Sequence, residues 1–197
     1  MSIIYDYSRV IKELKIVQNF FCFDVDSPYG RPIPMRSKYS QEHKITASYY
    51  AHRPVFDFPV LEPESVKHYM NEEEKRACSI FFTEGKAIRT LTREAIDFTA
   101  EEVDGKSGSM LYVIDLAKNI YLYSNHDRHY SHSSAVSGGS VLGAGEVSGS
   151  RDGTITSMNN KSGHYRPSED LLLKSVEIFR EKGAIFHSHF KPELCHK

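Results

Sequence analysis

Apolar residues recur at helical spacing in three stretches of the chain. In residues 7–19 they fall on one face of a helix. Residues 64–80 fit a second helix, whose acidic run followed by two basic residues suits a solvated face. Residues 168–182 fit a third, because Ser168 can cap its start and Gly183 follows its end. The pattern therefore predicts three amphipathic helices.

Runs of β-branched and aromatic residues predict strands in the C-terminal half. Residues 110–115 and 119–124 are two such runs with a short connection, which indicates a hairpin. Residues 140–150 and 154–160 flank an Asp-Gly dipeptide, which is typical of tight hairpin turns. Residues 184–190 fit a last strand. The C-terminal half is therefore expected to be rich in sheet.

Together these elements predict an α+β fold. A mostly antiparallel sheet from residues 108–162 would pack against the C-terminal helix. Residues 26–62 are rich in proline, which lacks an amide donor and restricts its neighbour, so they predict an extended arm. We expect a single domain over residues 1–197. Its N-terminal helix and proline-rich arm occupy residues 1–65, and its α+β core occupies residues 66–197.

The composition is that of an ordinary globular protein, with 40% hydrophobic and 26% charged residues. A net charge of -1 gives no indication of nucleic-acid binding or of a basic membrane contact, and no apolar run is long enough to span a membrane. Charged residues interrupt the apolar N-terminus, unlike an ordinary secretory signal. We expect synthesis in the cytoplasm and, if the protein is secreted into a host or target cell, a non-classical route.

Three cysteines, Cys22, Cys78 and Cys195, are an odd number and lie far apart. They fit neither a disulfide framework nor a paired zinc motif, so we expect reduced thiols. A catalytic thiol, Cys22 or Cys78 with His132 or His164 as its base, is a minor alternative.

Small polar residues are concentrated between Ser131 and Lys174. A His-Ser-Ser triplet, a glycine, an Ala-Gly pair, a glycine turn and a Ser-Gly-His-Tyr-x-Pro segment follow one another, namely His132, Ser133, Ser134, Gly138 or Gly139, Ala144, Gly145, Gly153, Ser162, Gly163, His164, Tyr165 and Pro167. Over residues 108–186 this order resembles a module of plant IQ-motif calmodulin-binding proteins. Similar modules occur in uncharacterised fungal proteins and in uncharacterised bacterial effector and polymorphic-toxin proteins.

The chain departs from these modules at two points. Ala135 and Val136 follow the His-Ser-Ser triplet, where the modules usually carry larger apolar residues. The IQ element itself, an Ile-Gln with spaced arginines, is absent, so calmodulin is not supported as a partner. The resemblance to the bacterial proteins implies an effector- or toxin-type domain that acts on a protein target in a host or competitor cell.

The small-residue stretch can also supply a catalytic pocket. Glycines let the backbone approach a ligand, and a helix N-terminus attracts anions, which suits a phosphate-bearing ligand. ADP-ribosyltransferases combine similar groups with a glutamate. By this analogy we predict an ADP-ribosyltransferase-like enzyme with nicotinamide adenine dinucleotide as co-substrate. The predicted catalytic residues are His132, Ser134, Glu146 and His164, and the predicted substrate-binding residues are Ser133, Gly139, Ser162, Gly163, Tyr165 and Arg166.

The alternative is that these residues only build turns in a non-catalytic protein-interaction module. The enzyme predicts that the side chains of His132, Ser134, Glu146 and His164 converge on one cleft. The interaction module predicts that they are separately buried and hydrogen-bonded, while apolar surface is exposed.

A metal site is not predicted. His126, His129 and His132 are three residues apart and would share one face of a helix. However, no cysteine or carboxylate completes a ligand shell at a familiar spacing.

Overall fold

One seven-stranded sheet organises the part of the chain that the structure describes. The computed structural model describes residue 33, residues 68–125 and residues 130–195, and all of them belong to one unit, Pro32–Lys197. In chain order the elements are α1 (Glu72–Cys78), β1 (Ser79–Thr83), β2 (Lys86–Arg89), β3 (Glu102–Val103), β4 (Lys106–Ser107), β5 (Ser109–Ile114), β6 (Ile120–Tyr123), β7 (Gly143–Gly149), β8 (Ile155–Asn159), α2 (Glu169–Glu181) and β9 (Phe186–Glu193).

The strands of the large sheet run in the order β2-β1-β6-β5-β7-β8-β9. Neighbouring strands are antiparallel, except that β8 and β9 pair in parallel. The short strands β3 and β4 form a separate antiparallel hairpin. The edges of the large sheet are therefore β2 and β9.

The central strand β5 is buried along its whole length. Successive side chains of a strand point to opposite faces, so Tyr112 lies on one face and Leu111 and Val113 lie on the other. Helix α2 covers the Tyr112 face, where the Phe179 ring packs edge-on to Tyr112 at 5.6 Å and lies 5.7 Å from the Phe82 ring. Because both faces are covered, the strand is apolar from Met110 to Ile114.

Loops and short elements cover the opposite face. Leu111 and Val113 belong there to a core that also holds Met70 and Ala135. The backbone N–H of Met70 donates to Ser134 O at 3.0 Å. The segment that precedes α1 is thus joined to the His-Ser-Ser loop, and the candidate residues lie on this face.

The two helices differ in how they begin. Asn71 and Glu74 form a capping box at the start of α1, with Asn71 N donating to Glu74 Oε2 at 2.7 Å and Glu74 N to Asn71 Oδ1 at 2.9 Å. Ser168 stands at the predicted cap position of α2, but its side chain makes no cap hydrogen bond. None of the described helices is long and apolar enough to cross a lipid bilayer.

The predicted α+β class, with a mostly antiparallel sheet and a C-terminal helix, is confirmed. The two predicted hairpins are β5–β6 and β7–β8, and the predicted last strand is β9. The parallel pairing of β9 with β8 was not predicted.

The second predicted helix, over residues 64–80, is too long at both ends. Helix α1 begins only at Glu72, after the Asn71 cap, so the described residues 68–71 are not helical. Helix α1 ends at Cys78, because Ser79 and Ile80 pair with β6 as the start of β1. Residues 64–67, the helix at 7–19 and the arm in 1–65 lie outside the described residues, Ile33 apart. The boundary between that arm and the core stays a prediction.

Candidate functional site

A tight turn holds His132 against the sheet. Ser131 N donates to Ser134 Oγ at 2.9 Å, and Ser134 N donates to Ser131 O at 2.9 Å. Tyr123 in β6 donates its hydroxyl to Ser131 O at 2.9 Å. These bonds satisfy the polar atoms of the turn and fix it beneath β6, so the His-Ser-Ser triplet is positioned by its own serines.

The segment that joins β8 to α2 forms a second loop. Arg166 N donates to Ser162 O at 2.9 Å, which closes a turn around His164. Asn160 Nδ2 donates to Pro167 O at 2.8 Å and holds the end of that turn. The Ser-Gly-His-Tyr segment is therefore a closed loop just before the helix.

Two contacts join the loops. Tyr165 donates its hydroxyl to Gly139 O at 2.8 Å, and Ser133 Oγ lies 3.3 Å from His164 Nδ1. Burial raises the pKa of Tyr165 above its usual range, so this hydroxyl stays protonated and remains a donor. The two sequence segments are thus brought together in space.

A pocket of about 230 Å³ lies between the two loops and the sheet. Three of the four predicted catalytic side chains, those of His132, Glu146 and His164, line it, together with Gly163. Ser134 does not line the pocket, because its hydroxyl is committed to the turn. The two imidazoles share one pocket, as the enzyme hypothesis requires, while their catalytic roles stay predictions.

His132 is buried and neutral. Its Nε2 lies 3.0 Å from Gly145 O. A carbonyl oxygen only accepts, so Nε2 carries the proton and Nδ1 does not. Burial lowers the pKa of His132 to about 4, against the opposing effects of the Gly145 hydrogen bond and the Glu146 charge.

Glu146 is a buried carboxylate with two partners. Lys161 Nζ lies 2.8 Å from its Oε1, and Asn159 Nδ2 donates to its Oε2 at 3.3 Å. Asn159 Oδ1 in turn accepts from Glu146 N at 3.0 Å. The hydrogen-bonded Glu146 carboxylate raises the pKa of Lys161. A buried carboxylate requires a cationic or hydrogen-bonding partner, and Lys161 and Asn159 supply these here.

Gly145 stands where a side chain has no room. A Cβ added there would overlap the carbonyl oxygen of Asn159 and lie 2.9 Å from Tyr112 Cε1. The approach is close because the Tyr112 hydroxyl donates to Asn159 O at 3.1 Å, beside the glycine. The Ala-Gly pair of the sequence pattern is thus explained by packing.

The remaining predicted substrate-binding residues build the loops. Ser133 and Ser162 are buried, and Ser133 Oγ also lies 2.9 Å from Ser131 Oγ. Gly139 offers its carbonyl to the other loop. Arg166 is exposed in the left-handed region with φ 50, and it does not line the pocket.

Sequence reasoning missed Asp104, Asn125, Tyr130 and Lys161, all of which line the pocket. Lys161 directly precedes the Ser-Gly-His-Tyr segment, so that motif could have been extended by one residue. Asp104 comes from the β3–β4 turn and Asn125 follows β6. No local pattern indicates that these two turns meet.

Thiol chemistry is not supported in the described part of the chain. Cys78 does not line the pocket, and burial raises its pKa to about 11, which leaves it a protonated thiol at neutral pH. Among the described residues, no three histidine, cysteine, aspartate or glutamate side chains group to hold a metal ion. Cys22, His126 and His129 lie outside those residues.

The comparisons with known proteins agree on one family. The model of the IQ motif-containing protein middle domain matches residues 74–172. IQ domain-containing protein IQM3 of Arabidopsis thaliana is 29% identical over 114 residues, which are 57% of this chain and 24% of that protein. IQM4 of the same plant is 27% identical over 122 residues, 62% of this chain and 21% of that protein. The chain thus spans about a fifth to a quarter of these relatives, and no solved structure matches it.

These matches overturn the predicted effector- or toxin-type ADP-ribosyltransferase. The relatives are plant IQ-domain proteins, so the descriptions effector and toxin are wrong for this chain. The plant part of the resemblance is confirmed, whereas its bacterial part stays a prediction. Enzyme activity as such, binding of nicotinamide adenine dinucleotide and the secretion route also stay predictions.

Proposed function

The chain belongs to the family of the IQ motif-containing protein middle domain, and we propose that it is a non-catalytic protein-interaction module. The observation that carries this proposal is the family match, which spans half of the chain and every residue that lines the pocket. It favours the interaction module over the enzyme, since the relatives are named for an IQ domain and not for an activity.

The way the polar side chains are used supports the same proposal. The hydroxyl of Ser134, the ring N–H of His132 and the carboxylate of Glu146 are each engaged by the fold. A catalytic serine needs a free hydroxyl beside a base, whereas the hydroxyl of Ser134, the predicted catalytic serine, is committed to its turn. Apolar surface is also available, because the described residues include four exposed large apolar side chains, Leu91, Leu173, Ile185 and Leu194.

A protein is the expected partner, and calmodulin is the first protein to test. A calmodulin-type partner follows from the resemblance to IQ-motif calmodulin-binding proteins, in partial conflict with the prediction drawn from the missing Ile-Gln element. A middle domain that lacks this element would bind through its folded surface. The whole relatives are four to five times longer than the matched part, so their partners are proposals for this chain.

The test compares binding with catalysis on the purified chain. Calmodulin would be titrated into the purified chain by calorimetry, with and without Ca²⁺. Separately, the chain would be cross-linked to proteins of a plant extract, and each cross-linked protein would be purified and titrated in the same way. We expect a saturable complex of fixed stoichiometry. We also expect no nicotinamide release from nicotinamide adenine dinucleotide, for the wild type and for Glu146→Gln alike.

Two results would contradict the proposal. One is nicotinamide release by the wild type that Glu146→Gln abolishes while the circular dichroism spectrum is unchanged. The other is failure of the folded chain to form a complex with calmodulin or with any cross-linked protein once that protein is purified. Asp170→Asn, which removes an exposed carboxylate in the first turn of α2, is the matched control for charge.

A further inference from the structure

We propose that the pocket receives a positively charged side chain, arginine or lysine, from the protein partner. The inference rests on the proposed function for the source of the cation. It rests on the pocket itself for the chemistry, in three respects: hydrogen-bond acceptors without partners, a surplus of negative charge, and a volume suited to one side chain.

The first acceptor without a partner is Asn125 Oδ1. Asn125 Nδ2 donates to Asp104 Oδ1 at 3.2 Å, and the opposite amide orientation would place two oxygens against each other. In this orientation Oδ1 is buried and has no hydrogen-bond partner within the described part of the chain. A buried acceptor left unpaired is destabilising, so a ligand that donates to it is favoured.

The second acceptor is His132 Nδ1. The Nε2 proton is committed to Gly145 O, so Nδ1 offers a lone pair. His132 is only 8% exposed and lines the pocket, and no hydrogen bond to Nδ1 is found among the residues that the structure describes. Both unpaired atoms call for an N–H donor rather than for an anion.

The charges in the pocket point the same way. Two carboxylates, Asp104 and Glu146, line it against one ammonium, that of Lys161. Lys161 Nζ lies 2.8 Å from Glu146 and 3.9 Å from Asp104, so a cation already occupies the space between the carboxylates. The Lys161 side chain is 49% exposed and can move out to solvent. An incoming cation would therefore replace it or join it.

The size of the pocket sets the scale of the occupant. Its volume of about 230 Å³ is below the roughly 300–1,000 Å³ of sites for drug-sized ligands. One long side chain fits this volume. The planar guanidinium of arginine can donate two parallel hydrogen bonds to one carboxylate, so arginine fits the pocket better than lysine does.

The experiment titrates the whole chain with single-residue probes by NMR. The probes are Nα-acetyl-arginine amide, its neutral isostere Nα-acetyl-citrulline amide, and spermidine as a free polyamine. We expect the arginine compound to bind with a dissociation constant on the order of 1 mM, since one side chain supplies few contacts. The citrulline compound should bind at least about tenfold more weakly, because it lacks the charge that the carboxylates recognise.

Two substitutions in the pocket should change the affinity for the arginine compound in opposite directions. Asp104→Asn should weaken arginine binding about two- to fivefold, since this carboxylate is 51% exposed. Lys161→Met should strengthen it about fivefold, because it removes the competing ammonium. Asp170→Asn, outside the pocket, should leave the affinity unchanged. If Lys161→Met fails to fold with Glu146 unpaired, Asp104→Asn and the citrulline comparison still decide.

Equal binding of the arginine and citrulline compounds would overturn the inference. Weaker binding of the arginine compound to Lys161→Met would also overturn it, because a loss of affinity on removing an ammonium is the behaviour of an anion site. Tighter binding of spermidine than of the arginine compound would overturn the assignment to a protein side chain. These failures are separable from failure of the proposed function. If Asp104→Asn forms the protein complex as well as the wild type does, the proposed interaction module stands. Only the role of the pocket in its interface would then be excluded.

Discussion

Burial of the His132 imidazole makes the stability of the fold depend on pH. Its ring is within the protein, and its pKa falls to about 4 from 6.5 because burial disfavours the charged form. The unfolded chain takes up the proton near pH 6.5, whereas the folded chain resists it until about pH 4. This contribution to stability is therefore fully present above pH 6.5 and is lost as the pH falls toward 4.

We predict that the free energy of unfolding falls by about 2 kcal/mol between pH 7 and pH 5 through His132 alone. His132→Gln, which keeps a donor for Gly145 O, should lose less stability over the same interval, because glutamine does not titrate. Urea denaturation at both pH values measures the difference. The neighbouring carboxylates Glu146 and Asp104 and the other histidines are common to both proteins, so the comparison isolates the imidazole of His132. Equal losses would show that His132 is not the group responsible.

Gly145 carries a second consequence at the residue scale. We predict that Gly145→Ala destabilises the fold by about 3 kcal/mol or more, because its Cβ meets a backbone carbonyl that cannot move aside. Gly105→Asn is the matched control, since a Cβ there has no heavy atom of the described residues within 4 Å and asparagine tolerates a positive φ. Thermal unfolding compares the two. A similar small loss in both would mean that strand β8 shifts to accept the methyl group.

At the residue scale the sequence predicted some of the site and not the rest. The predicted residues His132, Glu146 and His164 all line the pocket, and all three stand in one stretch of small polar residues. Sequence reasoning missed Asp104 and Asn125, which reach the pocket through the β3–β4 hairpin and the end of β6. Their position depends on the order of strands in the sheet, and no local spacing encodes that order.

At the scale of elements, turn residues and runs of β-branched residues were the reliable signals. The Asp-Gly turn between β7 and β8 adopts the expected left-handed glycine, since Gly153 has φ 85. The second predicted helix was less reliable, because its apolar spacing continued past the point where Ser79 and Ile80 pair with β6. Tertiary strand pairing overrode local propensity at that end.

Helix α2 gives an element-scale prediction. Phe179 is fully buried and packs against Tyr112 and Phe82, so it anchors the helix to the sheet. We predict that Phe179→Ala lowers the free energy of unfolding by about 3–5 kcal/mol. Leu173→Ala on the same helix, where the side chain is 44% exposed, should cost less than about 1 kcal/mol. Guanidinium denaturation of both variants measures this, and equal losses would place the anchor elsewhere.

At the scale of the whole molecule, the family match and the sheet do not coincide. The match covers residues 74–172 and ends inside α2, whereas β9 completes the sheet beyond it. Every pocket residue lies within the matched part. Composition and net charge excluded little at this scale. Kinship with plant IQ-domain proteins argues against the ADP-ribosyltransferase class that the polar residues alone suggest.

One carboxylate outside the pocket links its wall to a helix. Glu74 Oε1 accepts from the hydroxyl of Tyr130, which lines the pocket, at 3.0 Å, and Glu74 Oε2 accepts from Asn71 N as part of the cap of α1. His68 Nε2 contacts the same carboxylate at 2.9 Å. A bound ligand that shifts the Tyr130 ring would also move the Glu74 carboxylate. The backbone amide NMR resonance of Asn71, far along the chain from the loops, should therefore shift when the pocket is occupied.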